Sequence, residues 1–522
     1  MRQFAPNSSD STRGGLVSET VVETTGGKVR GEVRNGVHTF LGVPYAADTS
    51  GVHRFKAPRP VEPWGGVRDA LAFGPSAWQP QIEGAGDLMV VFGGMAEPSV
   101  GDNCLVLNVW TPSTAGADRP VLVYFHGGGF TSGSGSWPAY DGAAVAARGD
   151  AVVVTVNHRL GLLGHLYLAE IGGEEYAASG ATSILDLVAA LEWVRDNIAA
   201  FGGDASHVLA YGESGGGWKT STMLAMPSAH GLFQSASLMS GSSLRCETAA
   251  GGTALAEATL DALGLTSKQI SKLHDMPGER LMEAQQKVGM GMTGIGTGRG
   301  YAPVLDGTHI TQDPVDAVRS GSAPDVPMMI GTCRDEFKTF AMAMPAPEGE
   351  PDDAWLLELL RAPLGGRAEE VIAGYRRTRP KANPRDLQLA ISTDFHMRIP
   401  SVRMAEACAA SGSAPVFMYR FDWESPAFGG LIGAGHGVDY PFFFHNLAAA
   451  TVTSEGPGRE RLTAEMSGAV VALARNGNPS HAGLVPWDTY DASRRATMLF
   501  AEKSAMDDDP HGDERALWDD IV

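Results

Sequence analysis

The sequence predicts an α/β fold in which a large, mostly parallel central sheet is flanked by helices. Short, continuous apolar runs rich in β-branched residues recur along the chain, as strands buried on both faces require, at residues 121–125, 151–156, 208–210, 327–330 and 416–419. Between the second and third runs, apolar residues at the i, i+3, i+4 spacing of a helix extend from Ile184 to Ile198. Strand, helix and strand in this order imply a right-handed parallel crossover.

The chain of 522 residues is expected to form one domain over residues 21–522, because large α/β proteins keep one sheet and grow by insertions. Two segments, about 250–300 and 343–412, are interpreted as insertions that roof the site. Peripheral packing without substrate contact is the alternative for both segments. Residues 1–20 are expected to form a flexible tail.

The composition excludes several classes of partner. A net charge of −20 argues against nucleic acid, because proteins that bind phosphate backbones present basic surfaces. The sequence has no apolar run long enough to span a membrane and no recognisable signal peptide, so we expect a cytoplasmic protein without a membrane partner. The four cysteines form neither a Cys-x-x-Cys pair nor a Cys/His cluster, which indicates a reducing compartment and no metal or other cofactor.

The most informative stretch is residues 211–217, in which Gly212 and Gly216 flank Ser214 at a distance of two residues. Because the stretch follows the apolar run 208–210, we expect a sharp turn from a strand into a helix. A serine at the tip of such a turn has a strained backbone, and the residues two positions away must lack bulk. A single such pattern is weak evidence in a chain with 66 glycines, but this context predicts that Ser214 is a nucleophile.

A serine hydroxyl becomes nucleophilic when a neutral imidazole takes its proton and a carboxylate orients that imidazole. In hydrolases with this type of turn the chain order is serine, acid, histidine. Asp335 and Glu336 follow the run 327–330, and His436 lies in a glycine-rich loop after the run 416–419. His436 is therefore the predicted base, and both acidic residues remain candidates for the acid.

Backbone N–H groups must also face the oxyanion of the tetrahedral intermediate. His126 and the three glycines after it directly follow the run 121–125, and glycines there let the backbone approach the substrate carbonyl. The predicted donors are Gly128, Gly129 and Gly215, the last of which also opens a helix whose N-terminus favours negative charge. His126 is expected to orient this loop rather than to act as a base.

From about residue 22 to its end, the chain resembles the type-B carboxylesterases, the family that includes the cholinesterases. The resemblance rests on ordered matches at residues 27–31, 40–46, 103–110, 126–130, 157–161, 212–216, 475–479 and 487–490. It implies an α/β-hydrolase fold and a glutamate as the triad acid. The implied triad is thus Ser214, Glu336 and His436, with Asp335 as the rival acid.

The resemblance also implies two structural, buried ion pairs, Arg54 with Asp102 and Arg159 with Asp186. Two departures from the family pattern are informative. Secreted members pair a cysteine near position 77 with the one at Cys104, whose partner is missing here, which supports an intracellular location. Cholinesterases hold a choline-binding tryptophan where this chain has a glycine at position 94, so a choline ester is not the favoured substrate.

Several aromatic residues are candidates for the substrate pocket. Phe340 corresponds to a pocket-lining aromatic of the family, and Phe130 follows the predicted oxyanion glycines. Trp218, four residues after Ser214, either packs in the core, as large aromatic residues at helical spacing usually do, or narrows the acyl side of the pocket. Glu213 either tunes the histidine or completes a buried polar network. Weaker pocket candidates are Trp137, Met89 and Phe395.

The sequence therefore predicts a serine carboxylester hydrolase without a cofactor. Its expected substrate is a small-molecule ester with a short to medium acyl chain or an aryl group, because the pocket candidates are aromatic. A carbamate- or amide-cleaving enzyme with the same triad is the first alternative. A non-catalytic, cholinesterase-like binding protein and a lipase acting on aggregated lipid are the others. The expected assembly is a monomer or a homodimer.

Overall fold

The computed structural model describes residues 18–80, 91–94, 99–289, 300–343 and 349–521. Most of the predicted tail, the pocket candidate Met89 and part of each predicted insertion (residues 290–299 and 344–348) lie outside the described residues. The extent of the domain and its insertions therefore stays a prediction.

One sheet joins the strands of the described residues. They are β1 (Ser18–Thr24), β2 (Gly27–Arg34), β3 (Val37–Pro44), β4 (Val67–Asp69), β5 (Val106–Thr111), β6 (Arg119–Phe125), β7 (Val152–Val156), β8 (Gly203–Glu213), β9 (Ser235–Met239), β10 (Met328–Cys333), β11 (Val416–Phe421), β12 (Ala496–Phe500) and β13 (Ala505–Asp508). The five apolar runs in the sequence are thus confirmed as strands β6, β7, β8, β10 and β11.

The sheet order is β1-β2-β3-β5-β7-β6-β8-β9-β10-β11-β12-β13, with β4 beside β2. Every pairing from β7 through to β12 is parallel. The sheet becomes antiparallel at both edges, between β1 and β7 on one side and between β12 and β13 on the other. This arrangement confirms the predicted mostly parallel sheet.

Helices cover both faces of the sheet. The α-helices within the described ranges are α1 (Ala143–Gly149), α2 (Gly161–His165), α3 (Ala169–Gly172), α4 (Thr182–Asn197), α5 (Gly215–Leu224), α6 (Ala249–Leu263), α7 (Gly278–Val288), α8 (Pro314–Arg319), α9 (Glu336–Ala343), α10 (Asp353–Leu364), α11 (Ala368–Thr378), α12 (Pro384–Thr393), α13 (Ile399–Ser411), α14 (Tyr440–Phe443), α15 (Arg459–Asn476) and α16 (Gly512–Ala516). A π-helical turn, Asp394–Arg398, joins α12 to α13. None of the helices that the structure describes combines the length and apolar character needed to cross a bilayer.

The alternation of side chains along β6 shows how the two faces of the sheet are filled. Val121, Val123 and Phe125 join an apolar cluster with residues of α4, whereas Leu122 and Tyr124 join a second cluster with residues of α15. Successive side chains of a strand point to opposite faces, so a continuous apolar run feeds both clusters. The amphipathic stripe predicted between Ile184 and Ile198 is confirmed as the buried face of α4.

The parallel strands also determine where the candidate catalytic residues lie. Strands β6, β8, β10 and β11 run in the same direction, so the loops after them emerge at the same edge of the sheet. Those loops carry the predicted oxyanion glycines, the serine, the acid and the histidine.

Candidate active site

Ser214 lies between the last residue of β8 and the first residue of α5. Its backbone angles are φ 55° and ψ −122°, a sparsely populated conformation for a residue with a side chain. A methyl group on Gly216 would clash with the carbonyl of Phe125, and one on Gly212 would clash with the backbone of Gly216. The sharp turn expected from the glycine spacing is therefore present, and we call it the serine turn.

His436 and Glu336 form the shortest polar contact at the site. His436 Nδ1 lies 2.6 Å from Glu336 Oε2, and because a carboxylate accepts, Nδ1 donates. Glu336 is fully buried, and its Oε1 accepts the Cys333 N–H at 2.7 Å. The hydroxyl of Thr339 donates to the His436 carbonyl at 3.0 Å, which fixes the backbone of the histidine loop. This pairing leaves Nε2 of the imidazole to take a proton.

Asp335 has different partners. Its Oδ2 lies 2.8 Å from Arg334 Nη2 and 3.2 Å from Lys338 Nζ, and it accepts the Ala434 N–H at 3.2 Å. Burial acts to raise the pKa of Asp335, but Arg334 and the other donors outweigh burial and lower it. Since these cations occupy the Asp335 carboxylate, the geometry favours Glu336 as the partner of His436.

The predicted oxyanion donors lie on two elements that touch. Gly128 and Gly129 lie in the loop after β6, which we call the oxyanion loop (residues 126–130), and Gly215 is the first residue of α5. Gly128 has φ 85°, which favours glycine, and a methyl group on Gly215 would clash with the backbone of Gly129. Across the described part of the chain, the N–H groups of these three glycines donate to no protein acceptor. They are therefore free to bind an incoming oxygen.

Comparisons with known proteins show the family of this chain. A family model of the Carboxylesterase family matches residues 18–518. The chain is 37% identical to a para-nitrobenzyl esterase of Bacillus subtilis (strain 168) over 96% of its own length and 98% of that protein's, and 33% identical to a phenmedipham hydrolase of Pseudarthrobacter oxydans over 94% and 97%. A solved carboxylesterase of Geobacillus stearothermophilus superposes with a TM-score of 0.85 at 38% identity, covering 96% of this chain and 100% of that one.

The chain belongs to the carboxylesterase family. This carboxylesterase is a serine carboxylester hydrolase, and the α/β-hydrolase fold implied by the resemblance is confirmed. The four cysteines are buried, and none of them forms a disulfide within the described residues. The two implied ion pairs are present, with Arg54 Nε 2.8 Å from Asp102 Oδ1 and Arg159 Nη2 2.6 Å from Asp186 Oδ1.

A second carboxylate faces the catalytic candidate histidine. Glu213 is buried, and its Oε1 lies 3.2 Å from His436 Nε2, the nitrogen that does not contact Glu336. Burial acts to lower the pKa of His436, but the charges of Glu213 and Glu336 outweigh burial and raise it to about 9. Burial raises the pKa of Glu213, against the opposing effect of His436. Glu213 therefore adjoins the histidine, and both interpretations of it, tuning of the histidine and completion of a buried polar network, stay predictions.

Asp439, three residues after His436, is a third buried carboxylate at the site. The hydroxyl of Tyr419 donates to its Oδ2 at 3.2 Å. Burial raises the pKa of Asp439 to about 6, and the charge of Glu336 acts in the same direction. Despite these acidic groups, the described residues contain no cluster of three or more His, Cys, Asp or Glu side chains placed to hold a metal ion.

The aromatic pocket candidates separate into two groups. The ring of Phe340 lies 4.7 Å from that of His436, and the ring of Trp218 lies 5.6 Å from that of Phe130. Trp218 also faces the oxyanion loop, since a methyl group on Gly129 would lie 3.6 Å from its ring. These three aromatic residues therefore adjoin the histidine or the oxyanion donors, and their contact with substrate stays a prediction.

Two weaker pocket candidates pack against other aromatic side chains. Trp137 stacks on Tyr140 with 5.5 Å between ring centroids, and Phe395 stacks on Trp518 at 5.7 Å. Both candidates are buried.

The sequence analysis did not single out Asp439 or Lys219. Lys219 is the one charged residue among residues 215–224, but a single lysine in the sequence does not indicate which group it contacts. No local signal marks Asp439, whose relevance comes from the fold of the histidine loop.

Proposed function

We propose that this carboxylesterase cleaves short- to medium-chain or aryl carboxylic esters through an acyl-enzyme on Ser214, with His436 as the base and Glu336 as the acid that orients it. The observation that carries the proposal is the 2.6 Å contact between Glu336 and His436 beside the strained serine turn. The three residues follow three different strands, β8, β10 and β11, at one edge of the sheet. This arrangement supports a serine hydrolase triad.

In the proposed mechanism, His436 Nε2 takes the hydroxyl proton of Ser214 as the oxygen attacks the ester carbonyl. The resulting oxyanion accepts hydrogen bonds from the N–H groups of Gly128, Gly129 and Gly215. His436 then gives the proton to the leaving alcohol, and an acyl-enzyme remains. Water repeats the cycle, with His436 again as base, and releases the acid. Glu336 stays ionised and stabilises the imidazolium at each transfer.

The aromatic residues near the triad support the proposed substrate class. Phe340 lies against His436, and the pair of Trp218 and Phe130 lies beside the oxyanion loop. Flat apolar side chains favour aryl or alkyl groups of an ester over charged ones. One relative is named a para-nitrobenzyl esterase, which agrees with an aryl-bearing substrate.

The test is hydrolysis of p-nitrophenyl esters from acetate to dodecanoate by the wild type and by Ser214→Ala. We expect kcat/KM to be highest for short or medium chains and to fall about 10⁴-fold or more in the variant, because the acyl-enzyme cannot form. Ser237→Ala is the matched control, since Ser237 is a fully buried serine on the neighbouring strand β9 whose hydroxyl has no partner in the described residues. Retained activity in Ser214→Ala would refute the assignment.

The same series tests the acyl side of the pocket with Trp218→Ala. If Trp218 limits the acyl chain, removing its ring should move the preferred chain length upward by several carbons. An unchanged preference would mean that Trp218 serves packing alone.

Ester hydrolysis is favoured over the carbamate- or amide-cleaving alternative and over a non-catalytic binding protein, because the relatives include named esterases and the triad candidates are all present. We further propose a cytoplasmic location, supported by the unpaired, buried thiol of Cys104. A monomer or a homodimer remains the expected assembly, which sedimentation measurements would decide.

A further inference from the structure

Lys219 is a fully buried lysine that the proposed mechanism does not use. It lies on α5, about one and a half turns after Ser214. Among the buried residues that the structure describes, it is the only lysine. A buried ammonium group is unfavourable unless a polar partner compensates for the lost water. The identity of that partner therefore indicates what the lysine does.

The partner is the backbone of the oxyanion loop. Lys219 Nζ donates to the carbonyl of His126 at 2.9 Å. His126 Nδ1 donates in turn to the carbonyl of Gly127 at 2.8 Å. Burial, followed by the charge of Lys219, holds the pKa of His126 well below its usual value, so the imidazole is neutral. The first two carbonyls of the oxyanion loop are thus each held by a side-chain donor.

The contact joins the two elements that supply the oxyanion donors. Gly215 belongs to α5, as Lys219 does, whereas Gly128 and Gly129 belong to the oxyanion loop. The three N–H groups bind one oxygen only if the helix and the loop keep a fixed separation and orientation. The bond from Lys219 to His126 spans these two elements directly.

The other polar side chains of α5 behave differently. The hydroxyls of Thr220 and Thr222 donate to carbonyls four residues earlier in the same helix, at 2.9 Å each. Ser221 does the same toward Gly217, also at 2.9 Å, and it accepts the Ser243 N–H at 3.1 Å. None of these hydroxyl bonds reaches the oxyanion loop. Lys219, in contrast, donates to the first carbonyl of that loop.

We propose that Lys219 is a positioning residue of the oxyanion hole, which ties α5 to the His126 carbonyl and so fixes the N–H groups of Gly128 and Gly129 relative to that of Gly215. The inference rests on the proposed oxyanion hole. Burial lowers the pKa of Lys219 to about 7, with the charge of Glu213 opposing it. Since both the ammonium and the neutral amine carry N–H donors, the bond to His126 persists on either side of that pH.

The experiment compares Lys219→Met, which removes the donor, with Lys219→Gln, which keeps a shorter donor, and with the control Thr222→Val. Three quantities are measured: kcat and KM for a p-nitrophenyl ester, and the inhibition constant of a trifluoromethyl ketone, which adds to the serine and forms a tetrahedral oxyanion. We expect Lys219→Met to lower kcat about 10- to 100-fold, with KM changed less than about 3-fold. The inhibition constant should rise by a factor similar to the loss in kcat.

Lys219→Gln should reverse part of the fall in kcat and part of the rise in the inhibition constant, because its amide retains an N–H donor. Thr222→Val should match the wild type in kcat and in the inhibition constant, since its hydroxyl bonds only within α5. A Lys219→Met enzyme that is less heat-stable, but keeps the wild-type kcat and inhibition constant, would overturn the inference. If neither Lys219 variant folds, the lysine serves the fold and the inference is also wrong.

Ser214→Ala separates failure of this inference from failure of the proposed function. An inactive Ser214→Ala beside an unimpaired Lys219→Met would leave the triad intact and reject only the positioning role. An active Ser214→Ala would reject the proposed function itself, and with it the oxyanion hole on which the role of Lys219 depends.

Discussion

The active site of this carboxylesterase has two halves that are built in different ways. The serine turn and the oxyanion loop use backbone groups, and they depend on glycines that permit close approach and a positive φ. The proposed acid and base use side chains, and they depend on a 2.6 Å contact between residues 100 positions apart in the sequence. Local sequence can therefore specify the first half, whereas the second half exists only once the sheet has assembled.

The largest predicted effect lies in the side-chain half and concerns the two adjacent acids. Glu336→Gln should lower kcat about 10⁴-fold, because an amide neither orients His436 nor stabilises its charged form. Asp335→Asn is the matched control, and it should keep kcat within about 10-fold, since Asp335 pairs with Arg334 and Lys338 rather than with His436. Steady-state kinetics on both variants checks this, and the reverse ranking would make Asp335 the acid.

The backbone half is predicted to be sensitive to a single methyl group. Gly216→Ala should lower kcat at least about 10²-fold, because the methyl clashes with the Phe125 carbonyl and forces the serine turn to shift. Gly65→Ala is the control, since a methyl group at Gly65 meets no atom within 4 Å. Circular dichroism confirms that both variants are folded before kcat is measured. Full activity in a folded Gly216→Ala would show that the turn tolerates displacement.

A smaller effect is expected where the two halves meet, at Glu213. His436 must be neutral to act as base, so kcat/KM falls as the pH drops below the pKa of His436, which the neighbouring carboxylates raise. The Glu213 charge helps to raise that pKa, so Glu213→Gln should lower it and move the acidic limb of the profile to lower pH. The variant should then keep a larger share of its maximal kcat/KM at pH 7 than the wild type does.

The pH–rate profile of Glu465→Gln provides the control for this shift. Glu465 is also buried, but it accepts from Ser504 and contacts Arg461 rather than His436. The acidic limb of the Glu465→Gln profile should coincide with that of the wild type. An acidic limb in Glu213→Gln that stays in place, or moves to higher pH, would show that Glu213 does not raise the pKa of the base.

The sequence predicted much of the fold and the backbone half of the site for a physical reason. A strand buried on both faces needs a continuous apolar run, and β6, β7 and β8 each show one. The serine turn needs small residues at fixed spacing, which Gly212 and Gly216 supply. Both requirements concern a few neighbouring residues, so each can be recognised as a pattern in the sequence alone.

The side-chain half of the proposed site was harder to predict from the sequence. Spacing alone could not choose between Asp335 and Glu336, and only the family resemblance selected the glutamate. The structure supports that choice, since Arg334 and Lys338 hold the Asp335 carboxylate and His436 contacts Glu336 instead. Lys219 was missed, because its significance comes from a contact with His126, 93 positions earlier in the chain. Contacts of this kind follow from the packing of α5 under the oxyanion loop, which no local pattern encodes.

The central claim is that the acyl group is transferred to Ser214, and mass spectrometry tests it most directly. The enzyme is mixed with p-nitrophenyl acetate, quenched in acid within the first turnovers and digested, and the peptides are mapped. We predict a 42 Da acetyl increment, the mass of an acetyl group less a hydrogen, on the peptide that contains Ser214, and none on the same peptide of Ser214→Ala. An active wild-type enzyme that carries the acetyl group on another residue, or persistence of the adduct in the variant, would contradict the account.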